Sequence, residues 1–198
     1  LTYVLEMAHV IKKYKMHFLL DFHYSDYWAD PGQQNKPDAW KNLSFDELKE
    51  AVHKYTYDVL YRLKIMDCAP DMVQIGNEIR SGMLFPDGAV PQYRQLAALV
   101  NEGIRAVREL LPETKVMIHL DQGGRYNCIM PWLDSMFNAG MLPIDAIGLS
   151  FYSFWHGTFM DLKDTMSRII KLYTLPVYIV KTAPPRRHRK GDPIPKKP

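Results

Sequence analysis

Residues that could carry acid–base chemistry stand at the end of one short apolar run. The segment Asp71–Glu78 reads Asp-Met-Val-Gln-Ile-Gly-Asn-Glu, so an amide and a carboxylate follow a strand-like stretch. In a parallel α/β barrel the active site lies at the C-terminal ends of the strands, which is where Asn77 and Glu78 would stand. A carboxylate in such a place usually works with a second one across the pocket. The last strand-like run, Val177–Val180, is followed instead by Lys181.

The elements that must position these residues are five nearly continuous apolar runs. Such runs are typical of strands that are covered on both faces. They lie at 16–22, 71–75, 115–120, 144–151 and 176–180. Ser44 and Glu47 form a capping-box pattern at the start of one predicted helix, which runs through Leu63. Further helices are predicted over 91–111, 131–137 and 162–172, and the alternation favours right-handed βαβ units in a parallel sheet.

The segments that follow the strands are richer in polar and aromatic residues than those that precede them. This asymmetry is typical of a barrel whose functional face lies at the strand ends. A closed eight-stranded barrel usually needs about 250 residues, whereas this chain has 198 and shows five strands. We therefore predict an α/β fold over residues 1–183, a partial (β/α)8 TIM barrel with about five of eight βα units, the third to the seventh.

Bulk properties exclude several other classes. The hydrophobic fraction is 47%, which is enough for one sizeable core. No run of about 18 uncharged apolar residues exists, so a membrane span is not expected. No secretory leader is visible at Leu1. Cys68 and Cys128 are expected at opposite ends of the barrel, so we predict that they do not form a disulfide.

The basic character of the chain belongs to its last fifteen residues. Residues 184–198 hold six Lys or Arg, five Pro and one acid, and the other 183 residues carry 19 basic and 21 acidic side chains. The main body is therefore slightly acidic and gives no reason to expect a nucleic-acid partner. We predict that 184–198 is disordered. A nuclear-import or RNA-binding patch and an out-of-frame end are the two alternatives for this tail.

Two kinds of site are compatible with the polar residues at the strand ends. His23, Asp26, His119 and Asp121 could ligate a hydrolytic metal, but they include no His-x-His pair. Flat aromatic faces next to a carboxylate suit a sugar ring better, because glycoside cleavage needs a protonated carboxyl group against the leaving oxygen. The aromatic candidates are Tyr27, Trp28, Tyr152, Phe154 and Trp155.

On these motifs the chain resembles the endo-β-1,4-galactanases of glycoside hydrolase family 53. The segments that carry the resemblance are Leu19–Asp26 with Trp28–Gly32, Pro70–Ile79 with Gly82–Leu84, Met117–Asp121 with Gly123–Gly124, and Ile147–Tyr152 with Phe154–Thr158. The resemblance implies a monomer that cleaves galactan or arabinogalactan by a retaining mechanism outside the cytoplasm, extracellularly or in the periplasm. It implies no cofactor and no nucleic-acid or membrane partner, and the late loop that binds calcium in some members has no counterpart here.

The resemblance also implies a role for each site residue. Glu78 would be the general acid/base, and Asn77 would bind the sugar at the point of cleavage. The residues expected to line the galactan groove are His23, Asp26, Trp28, His119, Asp121, Tyr152 and Trp155.

Lys181 is the departure from the family pattern, which reads Glu-Thr-Ala where this chain reads Lys181-Thr182-Ala183. Lysine cannot form the glycosyl ester of a retaining mechanism, and its charge opposes an oxocarbenium-like transition state. An ion pair between Lys181 and Glu78 would also hold Glu78 ionised. We therefore expect negligible galactanase activity from this incomplete copy, with a frameshift or assembly error as one origin of Lys181. The alternatives are a galactan-binding pseudoenzyme and, more distantly, a mannanase or cellulase of the same clan.

Overall fold

A computed structural model describes residues 1–183, so the predicted disorder of 184–198 lies outside the described residues. The helices are α1 (Thr2–Lys13), α2 (Phe45–Ile65), α3 (Tyr93–Leu110), α4 (Tyr126–Asn138), α5 (Ser153–His156) and α6 (Phe159–Tyr173). The strands are β1 (Leu19–Phe22), β2 (Met72–Ile75), β3 (Gly82–Met83), β4 (Gly88–Ala89), β5 (Lys115–Leu120), β6 (Ala146–Ser150) and β7 (Val177–Lys181). Two 3-10 turns lie at Asp38–Trp40 and Ile79–Ser81.

Five of the strands form one parallel sheet, and they are the five that the apolar runs predict. Their order is β1-β2-β5-β6-β7, and each neighbouring pair is parallel. The helices α2, α3, α4 and α6 separate these strands along the chain. This is the arrangement of five consecutive βα units of a (β/α)8 barrel, as predicted.

Two of the helices in the described part of the chain, α2 and α6, begin at a side-chain capping box. Ser44 and Glu47 make the capping box that starts α2. A second box, formed by Thr158 and Asp161, starts α6 three residues before the predicted start. Helix α4 begins five residues before Pro131, which lies inside it rather than in its first turn. Tertiary packing therefore overrides the local preference of proline for a helix start.

Two features of the bulk composition have structural counterparts. Cys68 and Cys128 are both free thiols, which confirms that they do not pair. Among the described residues, no helix is both long enough and apolar enough to cross a bilayer.

A layer of polar side chains covers one face of the sheet near the C-terminal ends of the strands. The strand register aligns Asp21 with Gln74, and Gln74 donates to the Asp21 carboxylate at 2.6 Å. On the next two strands His119 and Ser150 meet at 2.9 Å. Because side chains on a strand alternate between faces, this polar layer and the apolar core on the opposite face follow from one sequence pattern. The functional residues rest on this layer.

Candidate active site

A cleft of about 610 Å³ opens at the C-terminal ends of the strands, directly above the polar layer. Its walls combine aromatic rings with acidic and basic groups. The lining residues are Trp28, Asp30, Pro31, Gly32, Glu78, Arg80, Asp121, Gln122, Tyr152, Trp155, His156 and Lys181.

The backbone after β2 turns sharply to present Glu78 to this cleft. Gly76 has a φ of 79°, and a Cβ there would lie 2.6 Å from Ile79 Cγ2, so the position requires glycine. Glu78 itself has a φ of 51°, in the left-handed region that non-glycine residues rarely adopt. Such strain is concentrated at functional sites, where the surrounding structure maintains it.

Asn77 lies beneath the cleft and is fully buried. Its Nδ2 donates to the carbonyl of Ala29 at 2.6 Å, and its Oδ1 accepts from Lys181 Nζ at 2.6 Å. His119 Nδ1 lies 3.0 Å from the same oxygen. Asn77 Oδ1 has no hydrogen and can only accept. For a hydrogen bond to His119, the Nδ1 atom of the ring must therefore carry a hydrogen. Contact of Asn77 with a sugar would require Lys181 to move.

The hydrogen-bond network assigns a proton to Glu78. Ser150 Oγ contacts Glu78 Oε1 and also lies 2.9 Å from His119 Nε2, but it has only one hydrogen to donate. With a neutral His119 that hydrogen goes to Nε2, and Glu78 must then donate its own proton to Ser150. A second arrangement is also consistent with these contacts. In it Glu78 is an ionised carboxylate that accepts the Ser150 hydrogen, and His119 is positively charged. Burial lowers the pKa of His119 to about 3, which favours the first state.

Burial also raises the pKa of Glu78 above its ordinary value of 4.5. The positive charge of Lys181 opposes this rise, and so does a Ser150 hydrogen directed at the carboxylate. The second effect is absent when Ser150 donates to His119. A carboxyl group that retains its proton is what general acid catalysis requires.

Replacing His119, whose Nε2 accepts the Ser150 hydrogen, tests whether Glu78 carries a proton. In His119→Leu the Ser150 hydrogen is free to donate to Glu78, so we expect the pKa of Glu78 to fall. Carbon-13 NMR of the labelled glutamate carboxyl measures it. The double variant His119→Leu/Ser150→Ala has no such donor, and its Glu78 pKa should rise again. An unchanged pKa in His119→Leu would show that Ser150 already donates to Glu78.

Asp121 reaches the cleft as part of an ion pair with Arg80. Arg80 Nε and one terminal nitrogen donate to the two carboxylate oxygens at 2.8 and 3.0 Å. This bidentate geometry occupies both oxygens of Asp121 and fixes the guanidinium plane. Arg80 keeps N–H groups that can face a ligand, which makes it a candidate binding residue that the motif reading missed.

The predicted ion pair between Lys181 and Glu78 does not form, so that expectation is wrong. Lys181 instead donates to Asn77 and lies 4.5 Å from the centre of the Trp28 ring. Asn77 and Trp28 are both neutral groups, and they hold the Lys181 ammonium in its position. Lys181 still lies at the tip of β7 and lines the same cleft as Glu78, as the strand-end argument predicts.

The cleft brings together some of the predicted site residues and leaves others out. Those that line it are Glu78, Lys181, Trp28, Asp121, Tyr152 and Trp155. Those outside its lining are Asn77, His23, Asp26 and His119. Asp26 accepts a backbone hydrogen bond from Asp38, and His23 is bonded to Asp21 at 3.0 Å. The family resemblance implies that His23, Asp26 and His119 line the groove, and that role stays a prediction. In the structure their partners hold them in the supporting loops and the polar layer.

The four residues of the metal alternative are held apart by their partners in the same way. His23, Asp26, His119 and Asp121 each have a different partner and do not converge. Within residues 1–183, no group of three or more His, Cys, Asp or Glu side chains is arranged to hold a metal ion.

Comparison with known proteins gives a consistent family match. The model of Glycosyl hydrolase family 53 matches residues 1–197, past the predicted domain boundary at 183. Arabinogalactan endo-beta-1,4-galactanase A of Emericella nidulans is 34% identical over 189 residues, which cover 92% of this chain and 54% of that protein. A Niallia circulans protein, "Uncharacterized protein in bgaB 5'region", is 46% identical over 187 residues, which cover 90% of this chain and 51% of that protein.

A solved structure, "Ignisphaera aggregans GH53 catalytic domain", superposes with a TM-score of 0.87 at 39% identity. The superposition covers 91% of this chain and 49% of that structure. The chain thus spans about half the length of the curated relatives it matches.

Proposed function

The chain belongs to glycosyl hydrolase family 53, and from that premise we propose that its cleft is the galactan-binding groove of an endo-β-1,4-galactanase. The observation that supports this most is a half-buried carboxyl group, Glu78, at the end of a barrel strand between aromatic walls. In the active family reaction this group would protonate the leaving oxygen of the galactosidic bond. Trp28, Tyr152 and Trp155 would stack on sugar rings on either side of it.

We further propose that this copy binds galactan without cleaving it. A retaining mechanism needs a second carboxylate about 5 Å from the acid to attack the anomeric carbon. The family resemblance puts Lys181 at the position of that group, and Asp121 is engaged by Arg80. Asp30 accepts two backbone N–H groups of its own turn. The contacts of Lys181 therefore favour a pseudoenzyme that binds galactan.

Calorimetry with β-1,4-galacto-oligosaccharides tests the groove. We expect binding at micromolar to millimolar affinity. Trp155→Ala should weaken it about tenfold, because an aromatic contact contributes about 1 kcal/mol beyond its buried area. Tyr61→Ala is a matched control, since Tyr61 is an exposed aromatic residue on α2 and does not line the cleft. Equal binding by both variants would refute the groove, and tighter binding of manno- or cello-oligosaccharides would point to another clan substrate.

For the site of action we propose an extracellular or periplasmic location and a monomeric protein. A polysaccharide substrate does not cross a membrane, so the protein must meet it outside the cytoplasm. Fractionation of the source organism with an antibody to this chain tests the location. Recovery of the protein only in the cytoplasm would contradict it.

A further inference from the structure

The acidic groups that line the cleft each have a group that offsets their charge. Asp121 and Arg80 neutralise each other through two hydrogen bonds. Asp30 accepts from backbone N–H groups at 2.7 and 3.1 Å. Glu78 contacts the hydroxyl of Ser150 and retains a proton when His119 is neutral. Each of these acidic groups therefore has a donor, a counter-charge or its own proton.

Lys181 is different, because both of its contacts are with neutral groups. Its ammonium donates one hydrogen bond to Asn77 Oδ1 and lies over the Trp28 ring. An ammonium has three N–H donors, so it keeps donors for a ligand. Among the residues that the structure describes, no carboxylate forms an ion pair with Lys181. The cleft thus presents a fixed positive charge that its own acids do not neutralise by contact.

A ligand with an anionic group gains more from this position than a neutral one does. A carboxylate that accepts from an ammonium makes a charge-assisted hydrogen bond, which is stronger than the bond made by a hydroxyl. The half-buried position of Lys181 strengthens the Coulomb attraction relative to bulk water. The aromatic walls at Trp28, Tyr152 and Trp155 restrict the ligand to one that also offers a flat, largely apolar ring face.

We propose that the cleft prefers a sugar chain that contains a hexuronate residue, with the uronate carboxylate paired to Lys181. The inference rests on the proposed function, in that the cleft holds a sugar chain. It extends the ligands of the groove from neutral chains to chains that carry an acidic residue, because Lys181 stands where the family pattern has a glutamate, which would repel a uronate. In the hydrogen-bond state with a neutral His119, Glu78 keeps its proton and does not oppose such a ligand by its charge.

A matched pair of ligands tests this preference. Trigalacturonate and its carboxyl-reduced counterpart differ only in the charged group, and calorimetry at low salt compares them. We expect wild type to bind trigalacturonate roughly tenfold more tightly, a difference of about 1.4 kcal/mol. Lys181→Gln should bind both equally, and Lys181→Arg should keep the preference. Lys54→Gln is the control, because Lys54 is an exposed residue of α2 paired with Asp58.

The preference should also shrink in wild type as NaCl is raised to about 0.5 M, because salt screens charge pairs. That measurement needs no variant, so a misfolded Lys181→Gln does not remove the test. Equal binding of the two ligands by wild type, or a preference that survives in Lys181→Gln, would overturn the inference. If a galacto-oligosaccharide binds but trigalacturonate has no advantage, only this inference fails. If none of the three binds, the proposed function fails as well.

Discussion

Asn77→Ala is expected to lower the free energy of unfolding by about 3 kcal/mol. The substitution removes three side-chain contacts at once, those to Ala29, His119 and Lys181. Each buried polar group left without a partner costs about 1–3 kcal/mol, and the site is too enclosed for full solvation. Lys181 would also lose the acceptor that fixes its position in the cleft. Urea unfolding followed by circular dichroism measures the change.

Asn42→Ala is the matched control for this prediction. Asn42 is exposed in the loop before α2, so its replacement should change the stability by less than about 0.5 kcal/mol. Asn77→Asp keeps an acceptor for Lys181 but loses the donor to Ala29, so it should lie between wild type and Asn77→Ala. A loss of under 1 kcal/mol in Asn77→Ala would mean that these contacts do not hold the strand ends together.

Acidification from pH 7 to pH 4 is expected to remove about 3 kcal/mol of stability through His119 alone. Burial lowers the pKa of His119 from 6.5 to about 3 in the folded protein. Between these two values the unfolded chain binds a proton that the folded protein does not, so stability rises with pH across that window and levels off above it. A full shift of one pKa unit corresponds to about 1.36 kcal/mol.

His119→Gln removes this titration and can keep a donor and an acceptor in the polar layer. Between pH 7 and pH 4 we expect His119→Gln to lose less stability than wild type does. The difference between the two losses should be about 3 kcal/mol. The raised pKa of Glu78 acts in the opposite direction, adding stability at low pH that is lost as pH rises through its folded value. The glutamine oxygen of His119→Gln can accept the Ser150 hydrogen as His119 Nε2 does, which keeps the Glu78 contribution the same in both proteins, so the difference reports on His119. His9→Gln, on the exposed face of α1, should follow wild type, and identical pH profiles for wild type and His119→Gln would contradict the account.

The sheet could be predicted from sequence because its strands are nearly continuous apolar runs, and the three central strands β2, β5 and β6 are buried over most of their length. The runs 71–75 and 115–120 are largely apolar, although they include Gln74 and His119, and they correspond to β2 and β5. The short hairpin of β3 and β4 was not predicted, because two residues per strand carry no periodicity. It depends on close backbone contact instead, since a Cβ at Gly82 would lie 2.1 Å from the carbonyl oxygen of Gly88.

Position at a strand end was enough to find Glu78 and Lys181 but not to find their partners. Ser150 and Arg80 are ordinary polar residues in the sequence, and only the strand register and the turn after β2 bring them to Glu78 and Asp121. The order of charges along the chain does not reveal which atoms meet. The ion pair considered between Lys181 and Glu78 on their strand-end positions does not form in the structure, because Asn77 and Trp28 hold the ammonium.

We expect that Lys181 makes this cleft a galactan-binding site without hydrolysis. The most direct test is to incubate the purified chain with β-1,4-galactan and quantify new reducing ends and galacto-oligosaccharides, with Glu78→Gln as the blank. We expect release from wild type to equal that of the blank in a preparation that binds galacto-oligosaccharides by calorimetry. Release above the Glu78→Gln level would contradict the claim, because it would show that the acid at Glu78 works with Lys181 in place of a second carboxylate.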